Sequence, residues 1–260
     1  MKIFDCFLFF NELEILELRL LTLSEVVDYF VLVEANKTFT DNKKEFFFEE
    51  NRNRFKEYLD KIIYVKVKDA PHWNKHENVW SIEYFQRDCI TRGLTTARDE
   101  DKIIISDVDE IPDPERILQI KHLNDTIALN QYLFYYYVNC MAPRTWNGSI
   151  ITPFKNMLPP QKLRDLARKG LNKIEGSGWH YSYMGGVDRI RLKLDNLSNA
   201  FTVMDQVGTQ QDIVNKVNAR KCLWDEGIEY RLVDIEKNNY APKSMKKFLE
   251  KYPEFFLNQN

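Results

Sequence analysis

Three acidic residues stand within four consecutive positions of the segment SDVDEIPDPE, which covers residues 106–115. Asp107, Asp109 and Glu110 directly follow an apolar run, Ile103–Ile105, that is typical of a buried strand. Like charges at this spacing repel, and each one raises the pKa of its neighbours. The cluster therefore predicts a cationic partner at this point of the chain.

Two aspartates on alternate residues are compatible with three kinds of site. In the first, the acids are solvated residues of a turn whose Asp113 caps the next helix. In the second, Asp107 is the nucleophile of a phosphohydrolase, although Ile111 fits that chemistry poorly and no GDxxxD segment follows. In the third, the carboxylates hold Mg²⁺ or Mn²⁺, hard cations that take oxygen ligands and keep positions open for substrate phosphates.

The elements that lead to the acidic segment predict an α/β protein. Apolar runs predict buried strands at Ile3–Phe9, Tyr29–Ala35, Ile62–Val67 and Lys102–Ser106. Helical patterns separate them at 11–23, where Asn11 and Glu14 resemble a capping box, and at 79–93. This alternation implies a mainly parallel sheet flanked by helices. Ligands collect at the carboxyl ends of such strands, so Glu34 and Asp107 are expected to face one crevice.

The second half of the chain is less regular. ALNQYLFYYYVNC (128–140) predicts one or two tyrosine-rich strands, and APRTWNGSIITPF (142–154) predicts a loop and then a strand. GSGWHYSYMGG (176–186) is an aromatic segment bounded by glycines, and helical patterns follow near 189–199, 211–223 and 244–252. Because no repeat, low-complexity tract or linker interrupts the chain, we predict a single domain over 1–260.

The composition indicates an ordinary soluble protein. Of the 260 residues, 44% are hydrophobic and 29% charged, and the net charge of −2 gives no global basic field for nucleic acid. The N-terminal apolar run contains Asp5 and Glu12, which makes it too short and too acidic for a signal peptide or a membrane span. Four scattered cysteines, with no CxxC pair, favour reduced thiols in a cytoplasmic protein. They are Cys6, Cys89, Cys140 and Cys222.

Four segments in this order resemble the family-17 glycosyltransferases: FFNELEILELRLLTLSEVVDYFVLVEANKTFT (9–40), SDVDEIPDPE, GSGWHYSYMGG and YAPK (240–243). The family comprises β-1,4-mannosyl-glycoprotein 4-β-N-acetylglucosaminyltransferases, which add the bisecting GlcNAc, and their bacterial and viral relatives. The resemblance extends from about Ile3 to Phe255. It implies a GT-A-type fold and inverting transfer from UDP-GlcNAc with Mn²⁺.

The sequence differs from the animal members of that family at its N-terminus. It lacks their membrane anchor and stem, which puts Golgi residence and an N-glycan acceptor in doubt. We therefore expect a cytoplasmic enzyme that transfers a sugar to a bacterial or viral surface glycan. The acceptor, the linkage and the donor sugar are left open, since a few pocket contacts set sugar specificity.

The resemblance also implies metal ligands. Asp109 is the first of them, and Asp107 is expected to bind the metal through water or to hold the ribose hydroxyls. His180 corresponds to the histidine of a Gly-Trp-His segment of the family and is the additional ligand, with a hydrogen-bonded core histidine as the alternative. Glu110 orients either aspartate. Trp179 packs under the sugar or fills the core.

The donor site is expected after the second strand, where GT-A folds seat the nucleobase and ribose. The segment there is EANKT, in which Glu34, Asn36 and Thr38 offer acceptors for uracil and ribose. Cations for the diphosphate or the base are expected elsewhere along the chain, and for Lys44 and Lys193 a solvated surface charge is the alternative. They are Lys44, Arg87 and Lys193.

Inverting transfer also needs a base that takes the proton of the acceptor hydroxyl. Asp188, just after MGG, is the predicted base, because the family has an acid near this position, and Glu175 and Asp205 are alternatives. Two other functions remain open from the residues alone. They are a catalytically silent protein that binds a glycan or nucleotide sugar, and the phosphohydrolase described above.

Overall fold

The computed structural model describes residues 1–72, 78–225 and 227–258, without the side chains of Phe201 and Met204. The helices are α1 (Leu13–Leu23), α2 (Phe47–Glu50), α3 (Ser81–Asp88), α4 (Pro114–Ile120), α5 (Pro160–Lys169), α6 (Val187–Asp195), α7 (Ala200–Val207), α8 (Gln210–Asn218) and α9 (Met245–Lys251). Within these described ranges, no helix is long and apolar enough to cross a membrane.

The strands form one central sheet. They are β1 (Ile3–Leu8), β2 (Tyr29–Ala35), β3 (Ile62–Val67), β4 (Lys102–Asp107), β5 (Glu110–Pro112), β6 (Ile127–Tyr135), β7 (Cys140–Pro153), β8 (Lys173–Ile174), β9 (Gly178–Ser182) and β10 (Arg231–Leu232). Their order is β3-β2-β1-β4-β7-β6-β9-β5, with β10 on β7 and β8 on β6. The predicted class, a mainly parallel mixed sheet flanked by helices, is confirmed.

The parallel part of the sheet contains a reversal of strand order that positions the site. β1 pairs in parallel with both β2 and β4, while β3 lies beyond β2. The chain therefore moves outward from β1 to β3 and then returns to the opposite side of β1. Ligands of open α/β sheets bind outside the carboxyl ends of the strands at such a switch point. Here the two ends are Leu8 of β1 and Asp107 of β4, which stand in register.

Apolar side chains cover both faces of the parallel strands. On one face, Phe7 and Ile104 pack in a buried cluster with Leu16 and Leu20 of α1. On the other face, Phe4, Cys6, Ile103 and Ile105 pack with Leu163 of α5. Because β1 and β4 are covered on both sides, their residues read as continuous apolar runs and not as an alternating pattern.

The structure corrects three local predictions. Glu12 and not Asn11 precedes α1, and it makes no side-chain cap, so the capping box with Glu14 was wrong. The segment predicted as a loop and then a strand lies in the long strand β7 up to its last residue, Phe154, which begins a 3-10 turn. The helix predicted at 79–93 consists of α3 and a 3-10 turn, Cys89–Gly93. The cap predicted at Asp113 is confirmed, because its carboxylate accepts a hydrogen bond from the Glu115 amide.

A buried arginine on α1 shapes the loop after β4. Arg19 donates Nε and Nη2 to the carboxylate of Asp5 on β1, at 2.7 and 2.5 Å. Its Nη1 donates to the carbonyl oxygens of Asp107, Val108 and Glu110, at 2.9, 3.2 and 2.9 Å. Both side chains of the ion pair are fully buried. One guanidinium thus neutralises a core carboxylate and fixes the backbone of the acidic segment.

We expect Arg19→Met to lower the free energy of unfolding by about 3–5 kcal/mol, because the buried Asp5 charge loses its partner. Urea unfolding followed by circular dichroism measures the change. Arg116→Met on α4 is the matched control, since the Arg116 side chain makes an exposed contact with Gln119. Equal unfolding midpoints for wild type and Arg19→Met would contradict this account.

Candidate functional site

A cleft of about 570 Å³ opens at the carboxyl ends of β1 and β4. The acidic loop supplies Asp107, Val108 and Asp109 to its wall, and the segment after β1 supplies Phe10 and Glu12. Further walls come from α3, α5, β9 and α6. Their members used below are Glu83, Arg87, Gln161, Arg168, His180 and Lys193. The predicted crevice is therefore present where the strand order reverses.

Two buried arginines hold Asp107. Arg87 of α3 donates to Oδ1 at 2.9 Å, and Arg164 of α5 donates to Oδ2 at 2.5 Å. Burial opposes ionisation of Asp107, but the charges of Arg164 and Arg87 outweigh it and hold the pKa of this carboxyl well below its ordinary value. The Asp107 side chain is still 33% exposed and lines the cleft, so it remains accessible from the open space.

Glu110 is fully buried and does not line the cleft. Its carboxylate accepts hydrogen bonds from both Nη atoms of Arg164, from the indole Nε1 of Trp146 and from the backbone amide of Asp107. Burial opposes ionisation, yet the charge of Arg164 lowers the pKa of Glu110. Glu110 therefore orients the acidic loop from its buried side and does not reach the cleft, so the structure gives no support to a direct catalytic role.

Asp109 is the acid of the loop that stands beside a histidine. Lys193 Nζ of α6 donates to Oδ2 at 2.8 Å, and Nε2 of His180 lies 3.5 Å from Oδ1. Burial opposes ionisation, but Lys193 and His180 hold the pKa of Asp109 well below its ordinary value. The same Lys193 lies 3.7 Å from Glu12 Oε1. Asp109 and His180 both line the cleft.

The residues present fit a divalent cation through two protein ligands. Asp109 offers a carboxylate oxygen and His180 an imidazole nitrogen at the same point of the cleft, and the Nδ1 atom of His180 is buried without a hydrogen-bond partner. Mg²⁺ and Mn²⁺ sites of this kind use one or two protein ligands together with water and substrate phosphates. Across the described residues, no three His, Cys, Asp or Glu side chains form a metal-binding group. The predicted set of three ligands with Asp107 is therefore not assembled, because Asp107 is held by arginines.

The residues after β2 divide into two groups. Thr38 and Lys44 line the cleft, as predicted for the donor site, whereas Glu34 and Asn36 do not. Glu34 is fully buried, and its carboxylate accepts from Lys44 Nζ, Tyr64 Oη and two backbone amides of α2. Burial raises the pKa of Glu34. Its oxygens are already occupied and it lies outside the cleft lining, so the structure gives no support to the predicted contact of Glu34 with the nucleobase.

Four other predicted residues lie away from the cleft. Trp179 is buried in the core and donates Nε1 to the carbonyl oxygen of Asn239 at 2.9 Å, so it fills the core and does not pack under a sugar. Asp188 is exposed on the first turn of α6 and accepts from Gln210 Nε2. An exposed carboxylate outside the cleft has no access to a hydroxyl bound inside it, so Asp188 is not supported as the base. The alternatives Glu175 and Asp205 are also exposed and outside the cleft.

Helix α5 supplies residues that the sequence analysis missed. Arg164 and Gln161 contact Asp107 and Arg87, and Arg168 reaches the cleft wall beside Trp146. The local signal for this helix is present, because Pro160 stands in its first turn and Gly170 ends it with a φ of 114°. These residues predict a helix, but only the tertiary fold shows that its polar side chains face the acidic loop.

Comparison with known protein families identifies the family of this chain. The profile of Glycosyltransferase family 17 matches residues 1–246. The chain belongs to glycosyltransferase family 17. Membership confirms the resemblance seen in the sequence.

Two curated relatives match a part of this family-17 chain. The beta-1,4-mannosyl-glycoprotein 4-beta-N-acetylglucosaminyltransferase of Homo sapiens is 29% identical over 117 residues, which are 43% of this chain and 22% of the human protein. The protein of the same name from Rattus norvegicus is 29% identical over 117 residues with the same coverage. The match thus spans about a fifth of the length of these relatives.

Solved structures resemble the family-17 chain distantly. A 4-diphosphocytidyl-2C-methyl-D-erythritol synthase has a TM-score of 0.35 at 10% identity, covering 68% of this chain and 90% of that one. The inositol-1-phosphate CTP transferase from T. maritima has a TM-score of 0.38 at 10% identity, covering 70% and 86%. At these TM-scores the likeness carries no functional argument.

We expect Glu110→Gln to lower the free energy of unfolding at pH 7 by about 3 kcal/mol, because Arg164 loses a buried partner. The folded-state pKa of Glu110 lies below its ordinary value of 4.5. Its contribution is therefore complete above that pH and is lost as the pH falls through the folded-state pKa. The difference in unfolding midpoint between wild type and variant, measured in metal-free buffer, should narrow below about pH 4.5.

The matched control is Glu115→Gln, because Glu115 makes an exposed ion pair with Lys243. Exposed pairs of this kind contribute little to stability because water screens them, so this variant should unfold close to wild type. A Glu110→Gln protein as stable as Glu115→Gln, or one whose deficit grows in acid, would exclude the structural role assigned to Glu110.

Proposed function

We propose that the chain catalyses inverting transfer of a sugar, GlcNAc from UDP-GlcNAc, to a hydroxyl of a glycan acceptor, with Mn²⁺ or Mg²⁺ as cofactor. The observation that carries the proposal is the placement of Asp109 and His180 side by side in a cleft at the strand-order reversal. Family membership supports it, since the curated relatives are named as N-acetylglucosaminyltransferases. A cytoplasmic location and a surface-glycan acceptor are part of the same proposal.

Asp109 and His180 would hold the cation. When bound, the metal supplies Lewis-acid stabilisation of the negative charge that develops on the diphosphate leaving group. Lys193 donates to Asp109 and stands on the cleft wall, so its ammonium adds positive charge where that diphosphate would lie. This charge, beside the cation that Asp109 and His180 would hold, would favour departure of UDP from the anomeric carbon.

The donor nucleoside would lie toward the loop after β2. Thr38 and Lys44 line this end of the cleft, and the aromatic rings of Phe10 and Phe39 line it with them. Asp107 has both oxygens oriented by arginines and its exposed edge open to the cleft, which suits it to accept hydrogen bonds from ribose or sugar hydroxyls. A nucleotide-sugar donor needs apolar side chains beside its flat base and carboxylates beside its hydroxyl groups, and this end of the cleft offers both.

The acceptor hydroxyl must lose its proton to a group that lines the cleft. Glu12 and Glu83 are carboxylates on the cleft wall. Glu83 is held by Arg87 and Ser198, whereas Oε1 of Glu12 has only the longer contact with Lys193. Oε2 of Glu12 accepts from the backbone amides of Phe10 and Asn11, which leaves Oε1 as its available oxygen. The candidates for the base are therefore these two glutamates and not Asp188.

We expect Asp109→Asn to lower the rate of UDP release from UDP-GlcNAc by about a hundredfold or more, because several kcal/mol of metal stabilisation are lost. The measurement follows UDP from a panel of nucleotide sugars with Mn²⁺ and with chelator, in the presence of mixed glycan acceptors. Asp188→Asn is the matched control and should keep the wild-type rate, since Asp188 lies outside the cleft.

Full activity of Asp109→Asn, or wild-type activity that survives chelation, would contradict the metal assignment. Loss of activity in Asp188→Asn alone would restore that residue as the base. Calorimetric binding of UDP without any turnover would instead indicate a silent nucleotide-sugar-binding protein.

A further inference from the structure

The inner face of α5 carries three polar side chains at helical spacing. Gln161, Arg164 and Arg168 are three and four residues apart, so they lie on one face of the helix. Gln161 and Arg164 are buried and bonded to Arg87 and Asp107. Arg168 is exposed at the end of the helix and lines the cleft.

Arg168 stacks on the ring of Trp146, and a buried hydrogen bond to Glu110 fixes the orientation of that ring. Its guanidinium carbon is 5.4 Å from the ring centroid of Trp146, a cation–π contact. The indole Nε1 of Trp146 donates to the buried carboxylate of Glu110. A Cβ atom at position 148 would overlap both the Trp146 indole nitrogen and the Glu110 carboxylate. Gly148 therefore leaves space for the hydrogen bond between them. The Trp146 ring lies 5.0 Å from the ring of His180.

The remaining cations of the cleft wall already have carboxylate partners. Lys37 pairs with Asp41, Lys44 with Glu34, Arg87 with Asp107, and Lys193 with Asp109. Among the residues that the structure describes, Arg168 is the cleft cation for which no carboxylate lies within ion-pair distance. Its guanidinium edge is therefore open to an anion from outside the chain.

We propose that Arg168, stacked on Trp146, binds the diphosphate of the nucleotide-sugar donor. The inference rests on the proposed function, because it takes His180 as the point beside which the diphosphate lies. A guanidinium offers two parallel N–H donors that match phosphate oxygens, and prior stacking on an indole reduces the side-chain entropy lost on binding. An anionic group of the acceptor is the other source of the same chemistry.

The test measures dissociation constants for UDP, UMP and inorganic pyrophosphate by calorimetry, with and without Mn²⁺. The variants are Arg168→Gln, Arg168→Lys and the matched control Lys169→Gln, which removes the same charge from the next residue, outside the cleft. Arg168→Gln should weaken UDP and pyrophosphate by about tenfold, the size of one charge-assisted contact, and UMP by much less. Arg168→Lys should lie between, and Lys169→Gln should match wild type.

Equal binding of UDP and pyrophosphate by wild type and Arg168→Gln would overturn the proposal. So would a raised KM for acceptor with unchanged UDP binding, which would assign Arg168 to an acceptor anion. If wild type binds pyrophosphate but not UDP, the donor nucleotide of the proposed function is wrong, and the pyrophosphate comparison still decides the role of Arg168. A wild type that binds neither would overturn both.

Discussion

The site depends on one buried guanidinium. Arg19 joins the core carboxylate of Asp5 on β1 to three carbonyl oxygens of the loop after β4. These carbonyls belong to Asp107, Val108 and Glu110, so the same side chain that neutralises the core also fixes the backbone that carries the acids. A loop anchored in this way holds its side chains in place without help from a ligand, which is the preorganisation that transition-state stabilisation requires.

The clustered acids are compatible with folding because each has a cation within the chain. Asp107 has Arg87 and Arg164, Glu110 shares Arg164, and Asp109 has Lys193. Buried charges of this kind are tolerated only when they are paired and hydrogen-bonded. The three acids nevertheless differ in use. Glu110 is enclosed, Asp107 presents one edge, and Asp109 stands beside His180, so the acid proposed to meet a metal is the one without an arginine.

Features of the structure that depend on neighbouring residues in the sequence could be predicted, whereas features that depend on contacts between distant residues could not. The strands Tyr29–Ala35 and Ile62–Val67 were predicted to the residue, because each of them is a local apolar run in the sequence. The crevice followed from strand alternation alone. Arg164 and Arg168 were missed, since their helix carries no sign of its distant partner, Asp107 lying 57 residues before Arg164. Glu34 and Trp179 were assigned to ligands because their segment placed them near the site, whereas side-chain direction took them into the core.

The most direct test of the account is a crystal structure of the protein soaked with Mn²⁺ and UDP, with anomalous data collected at the manganese edge. The account predicts an anomalous peak between Asp109 and His180 Nε2, with uracil toward Thr38 and Lys44 and the diphosphate in contact with Arg168. A peak on the carboxylate of Asp107 with its arginine contacts broken, or a nucleotide bound away from this cleft, would contradict it.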